Sequence, residues 1–350
     1  MKWDGHIVNQ SELRAYQEDE TDQSLEARVA ALIDQQCDTW PQLAEASAMF
    51  AEIVTKRVIV QESEVVIQLN PRRIRSTAAS VDKSSVEKRR CFLCPENLPE
   101  EEKGIAYGDD LILLCNPFPV LEHHLSIVHR DHVPQQIEGN AGVLLSLAHD
   151  LGSSYFVWYN GPECGASAPD HLHFQASSRA LLPIEENLYE GEPVLLEDCS
   201  YCEETAKNTF ELFTLGGCGR SVVVFRGGKR EEVAYWVDEV IKELAFQADK
   251  DEPLINIVCT YDPKLWTVYL FPRSRHRPAS FYAEGEARLT VSPGAIEMAG
   301  VVVVPEPTHF DRIDGERIAG IFAEVSMNPE IVNDLIDGIC SLPEPEEASW

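Results

Sequence analysis

Apolar positions recur at helical spacing near the start of the chain. Leu25, Val29, Leu32 and Ile33 fall on one face, with Asp22 or Ser24 placed to cap the helix, so 10–57 reads as mainly helical. Alternation takes over at 58–69, which reads as strands, and 70–90 as a basic loop. Two strands are expected between 111 and 128, either side of Asn116-Pro-Phe-Pro119. Val143, Leu144, Leu147 and Leu151 predict a helix over 134–151, and Tyr155-Phe-Val-Trp-Tyr159 a buried strand. The pattern turns irregular and acidic around 180–220, where a boundary is expected. Beyond it, 221–225 reads as a strand and 231–246 as an amphipathic helix with acidic residues in its first turn. Residues 254–260 and 266–271 form a hairpin across Tyr261-Asp-Pro-Lys264. Strands at 289–291 and 301–304 follow, and the tail from 343 is expected to be loose. Each half carries strands around a helix, which hints at two related units, although the halves share too little sequence to claim a repeat.

The stretch with the most chemistry is Asn160-Gly161-Pro-Glu-Cys-Gly165-Ala-Ser167-Ala-Pro-Asp-His171-Leu-His173-Phe-Gln175. If 171–175 is extended, His171, His173 and Gln175 share one face, because side chains alternate along a strand. An imidazole nitrogen is nucleophilic at neutral pH without prior deprotonation. The small-residue turn before it can present backbone N–H groups and a hydroxyl to an anion. On spacing alone, two histidines so placed are more often a polar strand face or a metal-binding pair than a nucleophile. Cys91-Phe-Leu-Cys94 has the ligand spacing of a tetrahedral zinc site. A second pair, Cys199-Ser-Tyr-Cys202, makes an all-cysteine site the rival, and two ordinary buried thiols the plain alternative.

Composition narrows the field. The chain has 350 residues, 44% hydrophobic and 25% charged, ordinary for a globular protein, but 29 basic against 59 acidic residues leave a net charge of −30. Such a surface repels nucleic acid and anionic membranes, and neither is expected as a partner. It also repels free nucleotides, so a nucleotide site needs a local basic patch. Arg72, Arg73, Arg75, Lys88, Arg89 and Arg90 form one such cluster, and Arg273, Arg275, His276 and Arg277 another. No stretch has the roughly 18 apolar residues of a membrane span, and no secretory signal opens the chain. Ten cysteines in this length are no secreted disulfide framework, so the reading is a reducing cytoplasm. Neither GxxxxGK[ST] nor GxGxxG occurs, which removes support for kinase, P-loop and Rossmann readings.

The His-x-His-x-Gln segment resembles the motif of the histidine-triad superfamily, and its Gln ending resembles the transferase branch. That branch holds galactose-1-phosphate uridylyltransferase, the diadenosine tetraphosphate phosphorylases and the GDP-hexose phosphorylases. Val66-Ile-Gln-Leu-Asn70-Pro-Arg-Arg73, Cys91-x-x-Cys94 and Asn116-Pro-Phe118-Pro, followed by His124 and His132, agree with it in order and spacing over about 66–178. Later likeness rests on Leu270-Phe-Pro-Arg273 and on 292–300, with Glu297. The chain resembles bacterial members of the branch that have no assigned substrate, so the likeness supplies a mechanism but no substrate.

The resemblance implies an α+β fold, an open antiparallel sheet built from two related halves with flanking helices. It implies a mainly helical segment at 1–65, a catalytic half at 66–185 and a C-terminal half at 186–350. It implies that His173 forms a nucleotidyl-histidine intermediate and that Gln175 orients a phosphate oxygen. Asn160, Gly165 and Ser167 would hold phosphate oxygens. Asn70, Arg73, Asn116, Phe118, His124, Arg273 and Glu297 would bind substrate. Cys91, Cys94, His132 and His171 would hold a structural Zn2+. The donor would be a nucleotide sugar or a dinucleoside polyphosphate, and the acceptor phosphate or a sugar phosphate. A divalent ion such as Mg2+ would accompany the substrate. The uridylyltransferases imply a homodimer, for which the sequence shows no interface. A hydrolase on the same scaffold and a non-catalytic, zinc-stabilised nucleotide-binding protein are the alternatives.

Overall fold

The computed structural model describes residues 2–13, 24–50, 52–74, 86, 88–179, 182–190, 193–194 and 210–341. Arg75, Asp22, Cys199, Cys202 and the tail from 343 lie outside them. Two helices open the described chain, α1 (Leu25–Thr39), capped by the Ser24 hydroxyl on the Ala27 N–H, and α2 (Pro41–Phe50). The helical stretch ends there, earlier than its expected limit at 57. Strands β1 (Val54–Val60) and β2 (Ser63–Leu69) instead form a hairpin, turning at Gln61 with φ 55°.

The remaining strands build a ten-stranded sheet: β3 (Gly104–Tyr107), β4 (Leu111–Cys115), β5 (Leu125–His129), β6 (Tyr155–Asn160), β7 (His173–Ser178), β8 (Pro193–Val194), β9 (Glu211–Leu215), β10 (Val223–Gly227), β11 (Ile255–Asp262) and β12 (Leu265–Pro272). Their spatial order is β3-β4-β5-β7-β6-β11-β12-β10-β9-β8, antiparallel at every junction. Five strands come from each half, and the order of the second half mirrors that of the first across the β6–β11 pair. Helix α3 (Ala141–Leu151) connects β5 to β6, α4 (Pro183–Glu190) follows β7, and α5 (Arg230–Ala248) connects β10 to β11, the counterpart of α3.

Three short helices, α6 (Ala279–Tyr282), α7 (Ala295–Met298) and α8 (Pro307–Arg312), lead to α9 (Gly315–Val325) and α10 (Pro329–Cys340). Strand β13 (Val301–Val304) runs parallel to β2, completing a second sheet of order β1-β2-β13. Helices α1, α3, α5 and α10 cover one face of the large sheet, meeting Ile127, Tyr159, Phe174 and Ile257. The small sheet and α9 pack over the other face, against Trp158, Val224, Val258 and Tyr269. Alternation on β7 therefore buries Phe174 among the helices and turns His173 and Gln175 to the opposite side.

Two expected elements differ. Residues 134–140 are not helical, because Gly139 at φ 75° breaks the turn before Ala141. Residues 289–291 form no strand: the Thr290 N–H donates to His309 Nδ1, and the Val291 N–H turns back to the Leu289 carbonyl at 2.9 Å.

Candidate active site

Between the sheet and the segments 89–102, 116–120 and 292–297 lies a cavity of about 460 Å3, within the usual size of a small-ligand site. His173, Gln175, Asn160, Gly165, Ser167, Asn116, Phe118, Arg73 and Glu297 line it. Sequence positions as far apart as 73 and 297 thus converge on one space.

Hydrogen bonds fix the state of the central imidazole. His173 Nδ1 is 2.8 Å from the His171 carbonyl oxygen. A carbonyl only accepts, so Nδ1 carries the proton and Nε2 keeps its lone pair. Burial pushes the ring down to about 4, so it is neutral at pH 7. Its backbone is clamped by Gln135, whose Oε1 accepts from the His173 N–H at 2.7 Å. The amide of Gln135 donates to the His173 and Asn160 carbonyls.

The neighbouring amide is oriented by the same logic. His124 Nδ1 accepts from the Val120 N–H at 3.2 Å, so its proton is on Nε2, which donates to Gln175 Oε1 at 2.9 Å. Burial, with Arg73 adding to it, lowers His124 to about 3 and keeps it neutral. The NH2 of Gln175 is left for the cavity. His124 itself stands behind Gln175 and is not part of the lining.

Asn160 is set by a relay. Arg273, buried at 1% exposure, donates through Nη1 to Asn256 Oδ1. That turns the Asn256 amide to donate to Asn160 Oδ1 at 2.8 Å, where the Ala295 N–H also donates at 2.7 Å. The Asn160 NH2 then faces the cavity. Arg273 was expected to touch substrate, and it does not reach the cavity. Its other N–H groups serve the carbonyls of Val325, Pro293, Arg275 and His276. Asn70 also sits outside the lining, tied to the Pro119 carbonyl at 3.2 Å. Gly165 has φ +100°, and a Cβ there would meet the Gly294 Cα at 3.1 Å, so the turn carrying Ser167 needs glycine.

Charge is focused on this space. Arg72, Arg73, Arg89 and Arg277 line the cavity of a chain with net charge −30. Glu297 accepts from the Gly294 N–H at 2.9 Å, and burial pushes its carboxyl up.

Beside the cavity, Cys91, Cys94, His132 and His171 bring their ligand atoms within 4.8 Å of one another. Cys91 Sγ is 3.3 Å from His171 Nδ1, and Cys94 Sγ is 3.2 Å from His132 Nδ1. His171 Nε2 donates to the His129 carbonyl at 2.7 Å, leaving the Nδ1 lone pair toward the thiols. His132 Nε2 lies 3.4 Å from Asp170, the carboxylate that commonly backs a metal-bound imidazole. Burial and the neighbouring Cys91 push Cys94 up to about 12, a state that a bound cation would invert. Two thiols and two imidazoles at this spacing fit a tetrahedral divalent ion.

Sequence reasoning missed Gln135, Asn256, Trp40 and Glu102. Gln135 had been assigned to a helix, and none of the four belongs to a motif.

The comparisons can be set against this geometry. A family described as "Domain of unknown function (DUF4922)" matches residues 32–178. No curated protein matches the chain. Among solved structures, yeast Ap4A phosphorylase Apa2 in complex with AMP is similar at 15% identity and a TM-score of 0.54, covering 84% of this chain and 96% of that one. Apa2 alone gives 16% identity and a TM-score of 0.53, covering 84% and 94%. The chain has the fold of this phosphorylase. At such identity the likeness is one of fold, and it agrees with the histidine-triad transferase architecture that the motifs resemble. No helix among the described residues is long and apolar enough to cross a membrane.

Proposed function

We propose that this protein is a nucleotidyltransferase of the phosphorylase type, acting through a covalent nucleotidyl-His173. The observation that carries the reading is the His173 Nε2 lone pair in a cavity that also presents the NH2 groups of Gln175 and Asn160. In the first step Nε2 attacks the α-phosphorus of a nucleotide sugar or dinucleoside polyphosphate. The Nε2–P bond forms as the bond to the bridging oxygen breaks, and the sugar phosphate or nucleotide leaves with that electron pair. Positive charge growing on the ring is stabilised through Nδ1–H on the His171 carbonyl. Gln175 and Asn160 donate to the non-bridging oxygens, and the arginines offset the substrate's charge. In the second step an oxygen of phosphate attacks the same phosphorus, the Nε2–P bond breaks, and His173 returns neutral. Two displacements give ping-pong kinetics. An amide at 175 has no proton to give to a leaving group, which favours substrates whose leaving group is a phosphate.

The same reading assigns Zn2+ to Cys91, Cys94, His132 and His171, as a structural ion that ties the 91–94 loop to the start of β7. Magnesium would arrive with the substrate's phosphates. A reducing cytoplasm suits eight described cysteines that form no disulfide.

The test is intact mass after brief exposure, without phosphate, to a panel of nucleotide sugars and dinucleoside polyphosphates. The expected result is a nucleoside-monophosphate adduct that phosphate discharges and that is absent from His173→Ala. Turnover of that variant should fall by at least about a thousand-fold. Binding of a panel member with no adduct would sink the covalent mechanism. Discharge by water at the same rate as by phosphate would make the protein a hydrolase.

A further inference from the structure

One end of the cavity has polar groups that the phosphoryl chemistry does not use. Glu102 is 6% exposed, lines the cavity, and its carboxyl has no hydrogen-bond partner among the described residues. Trp40, 3% exposed, lines the same end, and its indole N–H is likewise unmatched among them. Buried polar groups are normally paired, so an open acceptor and an open donor converging on one space point to a ligand that supplies the partners. Leu93 and Leu98 wall this end with apolar surface.

The position is set by the sheet. Gln175, Ser126, Leu114 and Gly104 stand opposite one another across β7, β5, β4 and β3, so their side chains share a face. Glu102, two residues before Gly104, belongs to that face. Three strand spacings, roughly 14 Å, separate β7 from β3. A nucleoside monophosphate, together with the reach of two side chains, fills that span when its phosphate sits at His173.

Resting on the reading of this cavity as a nucleotide site, we infer that Glu102 selects the base: its carboxyl receives the exocyclic amine of adenine, guanine or cytosine, while the Trp40 N–H donates to an acceptor on the same ring. Once ionised the carboxylate only accepts, and bases without an amine offer it a carbonyl oxygen where it needs a donor. The chemistry of the end supports this. No cation among the described residues stands against Glu102, and burial pushes its carboxyl up to about 8, so above that pH it is an unpaired carboxylate. Leu93 and Leu98 offer the ring apolar surface.

The experiment is calorimetric titration of the full chain with AMP, GMP, CMP, IMP and UMP at about pH 8.5, above the Glu102 value of about 8. Each amine-bearing base has an amine-free counterpart: IMP for AMP and GMP, UMP for CMP. The expected result is that at least one amine-bearing nucleotide binds about ten-fold or more tightly than its counterpart, the value of one matched hydrogen bond. In Glu102→Leu the ratio should fall to within about three-fold, with the phosphate contacts intact. If Leu does not fit the space, the unbranched Glu102→Met makes the same test. Equal binding of IMP or UMP by the unaltered chain overturns the inference, as does a preference that survives the loss of the carboxyl. Those outcomes leave the nucleotide reading standing. Failure of the unaltered chain to bind any of the five, nucleotide sugars included, would remove that reading and this inference with it.

Discussion

The side chains proposed to act are held in state by groups that do not line the cavity. His124 is the clearest case: neutral, buried and committed at both nitrogens, it decides which end of the Gln175 amide faces the cavity. In His124→Phe the amide loses its acceptor-side partner and turns freely. Adduct formation should slow roughly a hundred-fold, the usual cost of one misaligned oxyanion donor, while nucleotide affinity changes less than about three-fold. Pre-steady-state adduct kinetics alongside titration would check this, and a parallel loss of affinity would reject the positioning role. At this scale the sequence was legible where residues sit in a motif: His173, Gln175, Asn160 and the four metal-ligand candidates meet as spacing and resemblance suggested. Gln135 and Asn256 were illegible because their partners are a backbone amide and another amide 96 positions away. Arg273 was misjudged because a basic residue after a strand looks like an anion ligand, whereas its guanidinium is spent on backbone carbonyls and Asn256.

Three loops meet at the Cys91, Cys94, His132 and His171 cluster: one before β3, one after β5 and one leading into β7. The carbonyl that orients His173 belongs to His171, so holding this cluster also holds the proposed nucleophile. Loss of the proposed ion, by chelation or by Cys94→Ser, should lower the melting temperature by roughly 5–15 °C, since structural zinc contributes folding free energy outright. Cys199→Ser should leave metal stoichiometry at one per chain; a fall would revive the all-cysteine site. Elements themselves were legible where periodicity was long. Helix α1 starts at one of its two expected caps, Ser24, and α5 and the β11–β12 hairpin lie close to their expected bounds. The missed boundaries have local causes that hydrophobic patterning does not carry, among them the left-handed Gly139 and the His309 side chain occupying the Thr290 N–H.

Over the whole molecule, two mirrored halves share one sheet, yet the His-x-His-x-Gln segment sits in one of them. Strand β12, which holds the place of β7 in the second half, contains no histidine. The symmetry was therefore hidden from motif reading and rests on strand order. The halves join at β6 and β11, and a buried carboxyl sits at that seam. Glu252, just before β11, accepts from the Tyr159 hydroxyl of β6 at 2.8 Å and from the Ile137 N–H. Burial still pushes it up to about 7 from 4.5. Its folded value lies above its unfolded one, so the native state binds the extra proton between those limits. The stability this contributes is complete below about pH 4.5 and is lost as pH rises toward 7. The slope is at most about 1.4 kcal/mol per pH unit for one carboxyl. Glu102 acts in the same direction up to about 8, and repulsion within a chain of net charge −30 adds to both. The buried, neutral His124 and His173 act in the opposite sense below about pH 6.5, so the seam carboxyl is read by difference: in chemical denaturation, Glu252→Gln, which keeps the Tyr159 bond, should gain stability relative to the unaltered chain as pH rises from 5 to 7. An unchanged slope in that variant would mean that the seam carboxyl is ionised throughout, with Tyr159 and the Ile137 N–H offsetting the cost of its burial.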